Sequence, residues 1–224
     1  MIYRITDLTL AVAALILLAP LFIVIAVVLK FTGEGEIFYF QVRKGKNRHD
    51  FRVLKFATML KNSPNMGSGT ITSKNDPRIL PVGRILRKTK LNELPQLINV
   101  VLGEMSLIGP RPHVEIDLRG IEPDVLKNIL TMAPGLSGLG SLFFRHEEQI
   151  LQTFEDPRKF YDTIIAPYKA RLEVWYLENR SYRLYWRLIY LTLYLIVTND
   201  KRPLRRLYQR LPAMPPELEQ YLNL

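Results

Sequence analysis

Residues 8–31 are almost wholly apolar, and nothing else in this chain restricts its fold so strongly. The run exceeds the roughly 20 residues that a helix needs to cross a hydrocarbon layer. It is too long for the core of a signal peptide, and Val28, Leu29 and Lys30 do not form a small-residue cleavage site. Ala19 and Pro20 fall mid-run, where a proline removes a backbone hydrogen bond and kinks or breaks a helix. Two geometries follow. One is a kinked helix that spans the bilayer; the other is a re-entrant helix-break-helix that returns to its own side. The second keeps Arg4 and Lys30 on one face, in line with the positive-inside tendency. Taken alone, the run leaves both open.

The remainder of the chain is basic. A net charge of +10 beside 48% hydrophobic residues is an unusual pairing for a soluble domain, and it points to a membrane surface, an anionic substrate, or both. No nucleic-acid-binding motif accompanies the charge, so no nucleic acid is expected as partner. The chain has no cysteine, which excludes disulfides and zinc-thiolate sites. His49, His113 and His146 lack metal-ligand spacing and read as polar surface or loop residues.

Residues 37–42 and 50–56 are short alternating or aromatic pieces around a basic, Gly- and Asn-containing turn, which predicts a β-hairpin. Residues 61–76 read as a polar loop, with Ser63, Gly67, Ser68 and Gly69. Asp76 is read either as the cap of a turn before Pro77 or as a site residue. In residues 88–112, KTKLNELPQLINVVLGEMSLIGPRP, Leu94, Leu97, Ile98, Val101 and Leu102 recur at helical spacing. Asn92 is expected at the N-cap of that helix, with Pro95 in its first turn and Gly103 as its stop. Arg84, Arg87, Lys88, Lys90 and Arg111 ring this helix, a setting suited to a phosphate substrate. Asp156 and Pro157 start a helical pattern that breaks at Pro167 and resumes to Tyr176. Residues 182–197 are apolar and aromatic but short for a span. With Trp186, several tyrosines and a following basic cluster, they predict helices lying in the headgroup layer; the alternative is a buried core helix with a solvated basic tail.

The central stretch resembles the signature of the bacterial sugar transferase family, the monotopic phosphoglycosyl transferases. Their usual form is R-x-x-x-L-D-E-L-P-Q-L followed by G-D-M-S-L-V-G-P-R-P. The residues that carry the resemblance are Arg87, Leu91 to Leu97, Gly103 to Ser106 and Gly109 to Pro112. Phe40, Gln41, Arg43, Gly45, Phe51, Lys55, Phe56, Thr58 and Met59 are similar to a second family pattern, with Ala57 in place of an arginine. The residues from Pro134 to Gly138 resemble the family's P-G-[IL]-[ST]-G turn, and Glu173, Tyr176 and Asn179 its D-x-x-Y-x-x-N.

The resemblance implies transfer of a sugar-1-phosphate from a UDP-sugar to polyprenyl phosphate, giving a polyprenyl-diphosphate-sugar and UMP at the start of glycan assembly. It implies Mg²⁺ as cofactor, with Asn92 and Glu93 as its ligands, and Lys55, Arg87 and Arg111 as phosphate binders. Pro110, Pro112 and Glu173 are implied near the substrate, Glu173 as a carboxylate that replaces an aspartate. It favours the re-entrant reading, with the kink at Ala19 and Pro20, and the cytoplasmic face of a bacterial inner membrane with its anionic lipid. Taken alone, Lys55 would be a surface lysine and Glu173 a solvated one. The family's nucleophilic aspartate is Asn92 here, and a neutral amide is a poor nucleophile. Three readings remain: an inactivated chain, Glu93 as nucleophile, or direct transfer. The competing class is a non-catalytic membrane scaffold or nucleotide-sugar binder; whether the chain forms a homodimer stays open.

The expected fold is an α-dominated α+β membrane protein with a small β-hairpin and interfacial amphipathic helices. Residues 1–32 would be the re-entrant or spanning membrane helix, 33–180 the cytosolic-face catalytic core, and 181–224 the interfacial aromatic and basic helices.

Overall fold

A computed structural model describes residues 1–66, 76–118, 120–198 and 200–222. The expected loop is therefore seen only at its two ends; Gly67, Ser68, Gly69 and Asn75 lie outside the described residues. The chain opens with helix α1 (Ile2–Lys30), followed by strands β1 (Phe38–Lys44) and β2 (Asp50–Phe56). Helices α2 (Pro81–Lys88) and α3 (Gln96–Leu102) lead to β3 (Ser106–Ile108), α4 (Pro123–Ile129) and β4 (Gly135–Ser137). Four short or medium helices follow: α5 (Leu139–Phe143), α6 (Glu147–Leu151), α7 (Pro157–Phe160) and α8 (Ala166–Glu178). Helices α9 (Tyr182–Thr198), α10 (Arg202–Tyr208) and α11 (Pro216–Leu222) close the chain.

The protein is α-dominated, as expected. β1 and β2 form the antiparallel hairpin, with Tyr39 opposite Lys55 and Phe38 opposite Phe56. β3 and β4 pair in parallel as a two-stranded ribbon. That ribbon forces its flanking glycines together: a Cβ on Gly135 would stand 2.1 Å from the Gly109 nitrogen. The largest core gathers Ile165, Tyr168, Leu172 and Tyr176 of this helical half around Tyr185, Leu188, Leu191 and Leu195 of α9. So α9 is a core helix on one face, while Trp186, Tyr190, Leu193 and Val197 stand exposed on another.

α1 is a continuous helix through Ala19 and Pro20, so the expected break is absent. Its burial repeats at roughly helical period: Thr6, Asp7, Ala11, Ile25 and Leu29 are covered, and Leu15, Leu18 and Phe22 pack on the core between them. Ala19 and Pro20 point away from that seam, where proline's lost hydrogen bond disturbs no packing. Asp7 anchors the amino end. Its carboxylate accepts from the Ser106 hydroxyl and the Leu107 N–H, both at 2.8 Å, and from the Tyr185 hydroxyl. Arg4 donates to the Val100 and Val101 carbonyls, capping the end of α3.

Two local expectations are corrected. Asn92 lies in a single 3-10 turn, Leu91–Glu93, and Pro95 takes the N-cap of α3, so Asn92 caps nothing there. Pro167 does not break its helix; a wider π turn at Tyr161–Ile165 absorbs the missing hydrogen bond and leaves Pro167 in the first turn of α8. Gly103 does stop α3, with a left-handed φ of 87°, and the Asp156 carboxylate caps α7 through the Lys159 N–H at 2.9 Å.

Candidate active site

The turn that carries Asn92 and Glu93 is held between α2 and the hairpin. Asn99 of α3 fixes this arrangement: its side chain accepts from the Leu54 N–H at 3.0 Å and donates to the Arg52 carbonyl at 2.8 Å. Lys90 adopts a left-handed φ of 61°, which turns the chain sharply into the Leu91–Glu93 turn. Glu93 thereby meets Lys55 of β2 and Arg111 of the strap after β3, each at 3.6 Å. Arg87 of α2 lies on the same wall and pairs with Glu148 of α6 at 2.7 Å.

These groups line an open cavity of about 1290 Å³. Among the described residues, eleven cationic side chains face it against five carboxylates, the cations including Arg43, Lys55, Arg84, Arg87, Lys90 and Arg111. Such a surplus suits a polyanion. Burial pushes the Glu93 carboxyl upward, yet the pull of Lys55, Arg111, Lys90 and Arg87 outweighs it and holds the group down to about 2. Burial drives Lys55 down to about 7; the attraction of Glu93 opposes this, and Arg43, Arg111 and Arg87 reinforce it. Asn92 is only 7% exposed and its Oδ1 has no hydrogen-bond partner, an unusual state for a buried amide in a polar cavity. Burial holds His113 neutral, its imidazole lowered to about 3.

The structure thus brings Lys55, Arg87, Asn92, Glu93 and Arg111 to one cavity. The flanking prolines stand differently. The Pro110 carbonyl accepts from the Gly135 N–H at 2.7 Å and the Pro112 carbonyl from Arg43 at 3.1 Å, so both hold the strap that presents Arg111. Glu173 does not line the cavity. It is buried behind it on α8, accepting from the Gly140 N–H at 3.1 Å, and burial raises its carboxyl to about 8. The expected solvated or substrate-facing glutamate is instead a buried, protonated one at neutral pH. Asp76 and Arg78 form a buried ion pair at 2.6 Å, and Arg78 also donates to the Ser63 and Met66 carbonyls, so Asp76 clamps the loop and does not reach the cavity. Sequence reasoning missed Lys169 and the acidic lip of Glu147 and Glu148. The pair of glutamates was visible in the run after His146, but nothing in the sequence aimed it at this cavity.

Residues 1–199 match the bacterial sugar transferase family. The chain belongs to that family. Over 155 residues it is 38% identical to the exopolysaccharide production protein ExoY of Sinorhizobium fredii, an overlap of 63% of this chain and 68% of that protein. It is 43% identical over 110 residues to the undecaprenyl-phosphate glucose phosphotransferase of Komagataeibacter xylinus, covering 49% of this chain but 21% of the relative. It is 36% identical over 162 residues to the UDP-glucose:undecaprenyl-phosphate glucose-1-phosphate transferase of Escherichia coli, covering 70% and 34% respectively. The last two relatives are much longer than the matched region. As a bacterial sugar transferase, the chain has its cation-rich cavity built by the same stretches that carry the family signature.

Proposed function

We propose that this protein transfers a sugar-1-phosphate from a UDP-sugar to polyprenyl phosphate at a membrane surface. The observation that carries the reading is the cavity itself: an ionised Glu93 between Lys55 and Arg111, beside Arg87, in a wall whose charged residues are mostly cations. A diphosphate needs that charge to bind, and a phosphoryl transition state needs it again as charge moves to the leaving group. The relatives' names supply the donor and the lipid acceptor.

We assign Glu93 as the reacting carboxylate. In the first step one of its oxygens attacks the β-phosphorus, forming a P–O bond while the bridging P–O bond breaks and UMP leaves with the electron pair. In the second, the acceptor's phosphate oxygen attacks the same phosphorus and the carboxylate departs as it arrived. Arg87 and Arg111 hold equatorial phosphate oxygens, with forked donors that lysine lacks. Asn92 orients the substrate through its amide. Mg²⁺ binds oxygen donors and commonly keeps water and substrate phosphates in its shell. The unpartnered Asn92 Oδ1 and the Glu93 carboxylate fit that minimal role, and among the described residues no group of three or more His, Cys, Asp or Glu offers a fuller one. When bound, the ion would neutralise diphosphate charge.

The membrane reading rests on the outward face of α1, where Ile5, Leu8, Val12, Ile16, Leu17, Ile23, Val24, Val27 and Val28 are exposed. Water would leave that face uncovered at high cost; lipid covers it. Lys201, Arg205 and Arg210 would then meet anionic headgroups.

A second reading, binding without turnover, is favoured by the amide at position 92. UMP release from UDP-glucose with undecaprenyl phosphate decides between them. Expected is release by the chain, abolished about 10⁴-fold or more in Glu93→Gln. Undiminished release by Glu93→Gln removes Glu93 as nucleophile. Release by Asn92→Asp alone makes the chain as it stands a binder.

A further inference from the structure

Glu148 occupies a site where an acidic residue is out of place. It projects from the first turn of α6 into the cation-rich cavity, and its Oε1 accepts from Arg87 at 2.7 Å. Arg87 is largely buried and its other arm lies against the Met59 sulfur, so its guanidinium is held in position. Glu148 is about half exposed. The neighbouring Glu147 makes the equivalent contact with Lys169, whose ammonium also lies over the Phe144 and Tyr161 rings. One short segment thus aims two carboxylates at two cavity cations.

We propose that Glu148 determines the charge of the sugar this cavity accepts: it yields Arg87 to the incoming diphosphate and then faces the attached sugar as a carboxylate. The inference rests on the nucleotide-sugar reading above and deepens it. The diphosphate of a nucleotide sugar carries two negative charges to the carboxylate's one and matches the guanidinium fork, so it displaces Glu148 from Arg87. Once displaced, Glu148 remains within a side chain's length of the phosphate that took its place, and hence of the sugar bonded to that phosphate. There its oxygens accept from hydroxyl or amino groups. A sugar bearing its own carboxylate would meet a like charge in a partly desolvated cavity. The accepted class is neutral or amino sugars, and uronic acids are rejected.

The test is direct binding to the full chain in lipid nanodiscs, without an acceptor and with Glu93→Gln in every form, so that neither half-reaction runs. UDP-glucose and UDP-glucuronate are titrated against the chain, Glu148→Gln, Arg87→Ala and the double variant. Gln matches Glu in shape and the position is half exposed, so the fold is preserved. Expected for Glu148→Gln is tighter binding of UDP-glucose by several-fold and of UDP-glucuronate by tenfold or more, so the preference between them collapses. In the Arg87→Ala background the gain for UDP-glucose disappears. Unchanged affinities and an unchanged ratio in Glu148→Gln, with binding intact, overturn the proposal and leave the nucleotide-sugar reading standing. Failure of every form to bind either nucleotide overturns both.

Discussion

Lys55 stands on β2 opposite Tyr39, its ammonium 3.6 Å from Glu93 and its ordinary value of 10.5 driven by burial to about 7. Because the unfolded chain keeps its lysine proton up to about 10.5, folding releases that proton between about 7 and 10.5. Lys55 therefore costs stability below this window, and the cost falls as pH rises through it. Ligand binding runs the other way. A bound phosphate adds a second negative charge beside Glu93 and lifts the Lys55 value, so binding takes up a proton where the free lysine is neutral. Calorimetry in buffers of different ionisation enthalpy should show uptake of about one proton at pH 8 and about none at pH 6, and Lys55→Met should abolish the difference. Equal uptake in Lys55→Met would assign the proton elsewhere. Glu93 behaves oppositely: with its value held at about 2, it stays charged across this whole range and contributes no pH dependence above pH 5. The five cavity residues Lys55, Arg87, Asn92, Glu93 and Arg111 were legible because they sit inside contiguous motifs. Glu173 was misplaced because its burial depends on Gly138 and Gly140 pressing against α8, a contact made over more than thirty residues of separation.

Two buried acids decide whether the elements stay assembled. Asp7 ties α1 to β3 and α9 through three acceptor contacts. Replacing it with leucine leaves the Ser106 hydroxyl, the Leu107 N–H and the Tyr185 hydroxyl without that acceptor, at about 1–3 kcal/mol for each buried donor left unpaired. Denaturant titration in detergent should show a loss of at least about 3 kcal/mol, with protease cleavage appearing first beside α1. An unchanged midpoint would mean the helix is held by its apolar seam alone. Asp76→Ala takes from Arg78, whose side chain is only 3% exposed, the carboxylate that balances its charge, and should cost about 3–5 kcal/mol by the same measurement. The hairpin, α3 and the cap at Asp156 were readable because local period and capping chemistry specify them. The π turn before Pro167 and the 3-10 turn at Asn92 were not, since neighbouring elements override local preference there. Asp7 left a trace that went unread, a lone acid at the edge of an apolar run.

At the scale of the whole molecule, the unbroken α1 reopens the choice between spanning and returning, and its packing argues for the latter. A helix of 29 residues is about 43 Å long, enough to cross a bilayer end to end. Yet Tyr3 packs on the largest core at one end, and Leu29 packs beside Phe56 and Leu86 at the other. Both ends lie against one body whose cavity carries, among the described residues, more than twice as many cations as carboxylates, and so charged a body does not sit in hydrocarbon. The packing therefore predicts that the helix enters and leaves from the same side, lying shallow or tilted with its apolar outer face in one leaflet. The sequence has no cysteine, so single cysteines can be placed at exposed Ile2, at exposed Phe31 and, as a marker of the basic side, at Arg210. A membrane-impermeant maleimide applied to inverted inner-membrane vesicles should label all three. The same reagent on right-side-out vesicles should label none. If Ile2 and Phe31 react from opposite sides, α1 spans, and its contacts with the core at one end must be broken in the membrane. Labelling of both from one side leaves α1 as a ledge on which the catalytic body rests, with the cavity held at the height of the headgroups where a lipid phosphate can reach it.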